Sequence, residues 1–374
     1  MAGIYLHIPF CKQACLYCNF HFSTSLKLKN DLINALLKEI DLTKLHAPAE
    51  NIETIYFGGG TPSLLPTAAL NALLNALHRK FPIVGNAEIS LEANPDDISK
   101  AELTSWKKMG INRLSIGVQS FFEEDLRWMN RAHTADQSAY SILWAQDAGF
   151  DNLTVDLIYG SPVLSDEKWR QNVQKCIEYN IPHLSCYALT VEPKTALSDL
   201  IAKRKMPDTD QEHQARQFME LIHWLEAAGY EHYEISNFSL PGKRSRHNSA
   251  YWQGKPYYGF GPSAHSFNGK DIRSWNIANN ALYIQSLTSS IIPSENELLT
   301  AVQMLNEYIM TSLRTMEGID LNYIQAKFGK PAEVKIIAAA KNYMNEKLTL
   351  TDNRLKLTEV GKLFADGIAA DLFE

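Results

Sequence analysis

Two hydrophobic rhythms alternate from residue 1 to about 240. Short β-rich runs predict strands at Ile4–Ile8, Thr54–Phe57, Ala87–Glu92, Arg113–Val118, Leu153–Tyr159, His183–Leu189 and Glu231–Asn237. Between them, apolar residues recur at helical spacing. In Leu28–Leu45 the stripe is Leu32, Ile33, Leu36, Leu37 and Ile40, and in Thr67–Phe81 it is Leu70, Leu73, Leu74 and Leu77. Further helices are expected over Ser99–Met109, Ala135–Ala148, Ser165–Tyr179 and Asp210–Ala228, with Gly110, Gly149 and Gly229 closing three of them. Strand and helix in repeated succession predict an α/β fold with a parallel sheet, either a barrel or an open doubly wound sheet.

The polar residues separate those two. In a barrel, working side chains gather just past the C-terminal ends of the strands. Cys11 follows the first strand, Gly58-Gly59-Gly60-Thr61-Pro62 the second, Glu92 ends the third, Gln119 the fourth, and Asp156 lies in the fifth. The glycine run lacks the G-x-G-x-x-G spacing of a dinucleotide-binding turn. A partial (β/α) barrel over 1–240 is therefore favoured. Residues 241–294, rich in aromatics, Gly, Ser and Asn, read as a connecting segment. Residues 295–374 read as a smaller C-terminal domain: helices over Leu298–Leu313, Leu321–Phe328 and Ala332–Asn345, a hairpin over 348–357, and a last helix over Glu359–Phe373. That order is winged-helix-like.

Composition narrows the class. Of 374 residues 45% are hydrophobic and 21% charged, as in ordinary soluble proteins. The net charge of -6 and the lack of a basic recognition face argue against nucleic acid as a partner. No signal peptide and no apolar run of membrane-spanning length stands out, so the cytoplasm is the expected location.

The chemistry-bearing motif is Cys11-Lys12-Gln13-Ala14-Cys15-Leu16-Tyr17-Cys18, a C-x3-C-x2-C triple. Three thiolates on one short loop can hold three irons of a [4Fe-4S] cluster and leave the fourth open to a small molecule. A structural zinc site with His21 as fourth ligand is the bland alternative, although such sites usually pair two distant CxxC-like units. Five cysteines are too few and too odd in number for a disulfide scaffold, and Cys176 and Cys186 read as buried thiols.

The triple, together with Gly58–Pro62, resembles the radical S-adenosylmethionine (SAM) superfamily. Further stretches resemble its oxygen-independent coproporphyrinogen III oxidase group: His7–Cys11, Tyr56–Pro62, Leu91–Pro95, Ser115–Phe121, Asn130–His133 and Val155–Gly160. The likeness extends over nearly the whole chain. Within the group the oxidases carry a further cysteine two residues after the triple, where this chain has Phe20, and an extension ahead of the first strand. Arg246–Trp252 fits the H-N-x-x-Y-W pattern of the HemW branch. The resemblance thus implies a haem chaperone that passes haem to respiratory haem proteins, served by an electron donor, with transient membrane contact left open. The alternative it leaves is oxidative decarboxylation of coproporphyrinogen III propionates to vinyls. A zinc-stabilised DNA-binding regulator is the reading from a different class.

The resemblance also assigns residues. Cys11, Cys15 and Cys18 would ligate the cluster. The SAM set would be Tyr5, Tyr17, Gly59, Gly60, Thr61, Glu92, Gln119, Arg131 and Asp156, with glycines allowing close backbone approach, Glu92 taking ribose hydroxyls and Arg131 pairing with the carboxylate. For haem as cargo the candidates are His247 as axial ligand, Tyr251 one helical turn on, and Trp252 over the porphyrin plane.

Overall fold

In the computed structural model, which describes residues 2–45 and 51–374, six parallel strands lie side by side in chain order. They are β1 (Ala2–Ile8), β2 (Ile52–Gly59), β3 (Ile83–Ala93), β4 (Arg113–Gln119), β5 (Leu153–Tyr159) and β6 (His183–Ala188). The helices that return the chain between them include Lys29–Leu42, Thr67–Lys80, Lys100–Lys108, Ala135–Asp147 and Asp166–Glu178, each within a few residues of its expected span. Ser99, Thr134, Ser165 and Asp210 cap helix N-termini by accepting backbone N–H bonds, and Thr134 forms a reciprocal box with Gln137.

Strand alternation divides the sheet into two faces. Ile4, Leu6, Ile8, Ile55, Phe57, Leu91, Leu114, Ile116, Val118, Val155 and Leu157 are buried in the main core with the helix stripes Leu32/Leu36 and Leu70/Leu73/Leu77. Each such residue contributes roughly 1.5–3 kcal/mol by leaving water. The intervening positions are polar: Tyr5, His7, Tyr56, Glu92, Ser115, Gln119, Thr154 and Asp156. One face is thus a hydrocarbon layer under the helices. The other is a polar lumen, which is why the sheet curls around a site.

Two expectations are corrected. Glu231–Asn237 is not a seventh parallel strand. It forms a short antiparallel hairpin, β7 (Glu231–Glu234) and β8 (Asn237–Ser239), with β8 against β6. Residues 241–294 do more than connect. They hold the helix Arg246–Trp252 and strands β9 (Tyr257–Phe260), β10 (His265–Phe267) and β11 (Ile272–Asn276), which with β12 (Ser294–Leu298) extend the same sheet beyond β1. β9 runs parallel to β1 with Gly3 opposite Tyr257, so β1 is a central strand. The resulting twelve-stranded sheet ends at β12 on one side and β7 on the other, and the barrel stays open.

The C-terminal domain has its own core around Leu305, Ile309, Leu313, Ile324, Ile336 and Leu355. Helices Ala301–Leu313, Leu321–Phe328 and Lys330–Ala340 precede a hairpin of β14 (Leu348–Thr351) and β15 (Arg354–Leu357), and β13 (Ile319–Asp320) pairs with β15. Asp352 and Asn353 between the hairpin strands both have positive φ, 51° and 59°, as a two-residue primed turn requires. Among the described residues no helix is long and apolar enough to cross a membrane.

Candidate functional site

A cavity of about 440 Å³ opens at the C-terminal ends of β1 to β6. Its wall includes Cys11, Cys15, Cys18 and Tyr17 from the first loop, Gly59, Gly60 and Thr61 after β2, and Glu92, Gln119, Arg131 and Asp156. All the expected cluster and SAM residues except Tyr5 therefore meet in one place. Tyr5 lies deeper, its hydroxyl 3.2 Å from His7 Nδ1 and its ring stacked on Tyr56 at 6.1 Å.

The cysteine loop is pinned from several sides. Lys12 forms ion pairs with Asp96 at 2.7 Å and with Asp97. Gln13 Nε2 donates to Asn130 Oδ1 at 2.7 Å, and Asn130 Nδ2 donates to Ala14 O at 2.7 Å. Leu16 N donates to Met129 O. Gly60 lies so close beneath that a Cβ there would stand 2.6 Å from Phe10 O and 3.0 Å from Cys11 Sγ. Gly59 holds φ +112°, open to glycine alone without strain.

Burial pushes the Cys11 thiol up to about 11, despite a bond from Thr61, and raises Cys18 as well; the neighbouring cysteines add to both. Iron takes the thiolate form, so filling this loop would release those protons. Among the described residues no three His, Cys, Asp or Glu side chains converge as a single ion requires. A cluster seats each thiolate on its own iron, and three cysteines on one short loop fit a [4Fe-4S] group. His21 turns its Nε2 to Asn280 at 2.8 Å, away from the fourth-ligand role considered for it.

Polar groups fill the rest of the wall. Glu92 accepts from Tyr56 OH at 2.8 Å and from Gly59 N at 3.1 Å, and burial still raises it to about 8. Asp156 is raised to about 6 by burial and is reached by Ser115 Oγ at 3.3 Å. Gln119 sits at φ +65°, a conformation that side-chain-bearing residues adopt at a cost of about 1–3 kcal/mol and that collects at working sites. Arg131 donates to Asn94 Oδ1 at 2.7 Å, Gly117 O at 2.8 Å and Cys15 Sγ at 3.3 Å, while its Nε is buried without a partner among the described residues. Burial opposes the Arg131 charge, but Tyr17 and Cys15 hold it firmly protonated. Phe20 stands 68% exposed at the rim.

Tyr56, Asn94, Ser115 and Tyr187 also belong to this wall or support it, and none was singled out from sequence. The signal was available for two of them: Tyr56 and Ser115 hold the polar places in the two-residue alternation of β2 and β4.

The haem candidates lie elsewhere. Helix Arg246–Trp252 closes the opposite, N-terminal end of the sheet. His247 is 2% exposed there, its Nδ1 2.8 Å from Thr54 Oγ1 and its Nε2 2.9 Å from Tyr251 OH, with Tyr56 stacked at 4.9 Å. Its backbone N donates to Glu88. Burial lowers it to about 3, so it is a neutral imidazole with both nitrogens engaged. The structure sets His247 in an internal network, not on a surface open to iron. Trp252, by contrast, reaches a separate cavity between the sheet and the C-terminal domain.

The family model of the radical SAM superfamily matches residues 5–188, and that of the HemN C-terminal domain matches residues 299–364. The heme chaperone HemW of Mycobacterium tuberculosis is 32% identical over 99% of this chain and 94% of its own length, and that of Bacillus subtilis 31% over 98% of each. The solved structure of coproporphyrinogen III oxidase (HemN) from Escherichia coli superposes with a TM-score of 0.84 at 24% identity, covering 100% of this chain and 90% of that one. The chain therefore belongs to the radical SAM superfamily, and within it to the HemW family. Membership of the superfamily implies a [4Fe-4S] cluster and SAM.

Proposed function

We propose that this protein is a haem chaperone of the cytoplasm, which binds haem and hands it to respiratory haem proteins. One observation carries the reading: relatives named heme chaperone HemW align over almost the entire chain in two distant bacteria. Cys11, Cys15 and Cys18 would hold the [4Fe-4S] cluster, and the rest of the cavity wall would hold SAM beside it. When bound, the cluster and SAM supply one-electron cleavage of a carbon–sulfur bond. The chain's own residues do the rest. Gly59 and Gly60 let the backbone come close, Glu92 offers acceptors to the ribose hydroxyls, and Gln119 and Asp156 offer further polar contacts to the same ligand. Arg131 steadies Cys15 and keeps the orphaned Nε for a ligand carboxylate. The one-electron chemistry would need an external electron donor. Three parts divide the work: 1–240 for the cluster and SAM, 241–294 for the H-N-x-x-Y-W helix, and 295–374 as the winged-helix-like domain.

Haem titration of the purified protein tests the reading. A Soret band that saturates near one haem per chain, about 1:1, is expected for a dedicated carrier. No stable binding, with or without the cluster, removes the chaperone role. Turnover of coproporphyrinogen III in an anaerobic assay with SAM and a reductant would replace it with an oxidase.

A further inference from the structure

Where the C-terminal domain meets the sheet lies a second cavity of about 520 Å³, and it shares no lining residue with the cysteine cavity. One wall presents Trp252, Tyr257 and Phe267 from the sheet side. The other presents Tyr308 and Thr311 on helix Ala301–Leu313, and Tyr323 on the next helix. The volume lies within the range of small-molecule sites, and such aromatic walls suit a flat ring.

Charge tells the two cavities apart. The cysteine cavity sets Asp156, Glu192 and a largely protonated Glu92 against Arg131 alone, so it offers no excess of cations to receive a polyanion. The interdomain cavity sets six cationic side chains against Glu307 and Glu317. Three of the six are already paired: Arg244 with Glu231 and Glu317, Arg273 with Glu307, and Arg354 with Asp320. Lys255, Lys270 and Lys327 have no carboxylate partner among the described residues; Lys327 reaches Tyr323 OH at 2.9 Å and lies over the Tyr323 and Phe328 rings. Three unpaired ammonium groups around an aromatic cleft, in a chain of net charge -6, fit a ligand with more than one carboxylate.

Two polar atoms sharpen the point. Ser249 Oγ and Trp252 Nε1, on residues of this wall, are buried without a partner among the described residues. Native proteins leave few such atoms unpaired unless a water or ligand supplies the bond.

We infer that this interdomain cavity is the seat of a planar tetrapyrrole dicarboxylate, its ring between Trp252, Tyr257 and Tyr308 and its carboxylates on Lys255, Lys270 and Lys327. The inference rests on the haem-carrier reading and adds the place. It removes His247 from the list of iron ligands and gives the C-terminal domain half of the binding wall.

Haem and metal-free protoporphyrin are titrated into the full-length, cluster-reconstituted protein and two variants. The triple variant K255Q/K270Q/K327Q removes the charges at exposed or half-exposed positions, and T311W fills the cavity. Circular dichroism and the cluster chromophore monitor folding. Both porphyrins are expected to bind the parent chain, with affinity at least about tenfold weaker in the triple variant and lost in T311W. Folded variants that bind haem like the parent would overturn the cavity assignment and leave the carrier reading standing. A parent chain that binds no haem overturns the carrier reading, and the cavity assignment falls with it. If T311W does not fold, the lysine variant decides.

Discussion

At the scale of single residues, local chemistry was the most readable part of the chain. The ligand spacing of Cys11, Cys15 and Cys18 is a property of eight consecutive residues, so no tertiary knowledge was needed to find it. Replacing any one of them with Ala should drop iron in the anaerobically reconstituted protein from about four atoms per chain to near zero, with loss of the brown absorbance. His247 was the opposite case. Its i+4 relation to Tyr251 was visible, and the two side chains do meet, but the enclosure by Thr54, Glu88 and Tyr56 comes from strands 159 to 193 residues away. Glu39 escaped notice for the same reason. It looks like a surface residue in an amphipathic helix, yet it is 2% exposed and accepts bonds from Gly261 N, Asn276 and Tyr283. Burial raises its carboxyl to about 7, so the folded chain holds that proton more tightly than the unfolded chain. Its contribution to stability is therefore complete below about pH 4.5 and is lost as pH rises through about 7. Denaturant unfolding at about pH 5 and about pH 7.5 should show the parent losing on the order of a kcal/mol that Glu39→Gln keeps. Equal slopes for the two proteins would remove Glu39 from the pH response.

At the scale of elements, periodicity located the first six strands and the helices between them because each buries one face against the same core. Strands β9 to β12 carry no such mark. Tyr257–Phe260 is four residues long, contains Gly259, and finds its partner at β1 across the whole barrel sequence. Only the tertiary pairing makes it a strand. The loop after β2 shows how one element constrains another. Gly60→Ala puts a Cβ against Phe10 O and Cys11 Sγ, and backbone is slow to give way. The expected cost is about 1–3 kcal/mol of stability, together with reduced iron uptake on reconstitution, measured by thermal unfolding and iron analysis. Normal iron content in a folded Gly60→Ala protein would mean that the loop is less tightly coupled to the glycine run than its contacts imply.

For the whole molecule, the question is how two cores are held together. Arg314, just past helix Ala301–Leu313, donates to Glu234 from Nε and Nη2 at 3.1 and 3.0 Å and covers the Trp252 ring at 5.4 Å. Glu234 is buried on the sheet side. Backbone bonds from Ile235 N to Arg314 O and from Met316 N to Tyr233 O flank the pair. Arg314→Ala leaves that carboxylate without its cation, and a loss of about 3 kcal/mol is expected in denaturant unfolding. Uncoupling of the two domains into separate transitions would accompany it; an unchanged single transition would show that the backbone bonds suffice. No sequence pattern announced this joint, since Glu234 and Arg314 lie 80 positions apart.

The position of β1 has a consequence for how the chain comes into being. Its inner neighbour β2 is synthesised soon after it, but its outer neighbour β9 is separated from it by about two thirds of the polypeptide. On a ribosome, β1 waits with one hydrogen-bonding edge bare until residues 257–260 emerge. For that interval the nascent chain presents an apolar strand, Ile4-Tyr5-Leu6-His7-Ile8, to any other edge within reach. Synthesis itself, more than the finished fold, is where this molecule is most exposed to mispairing.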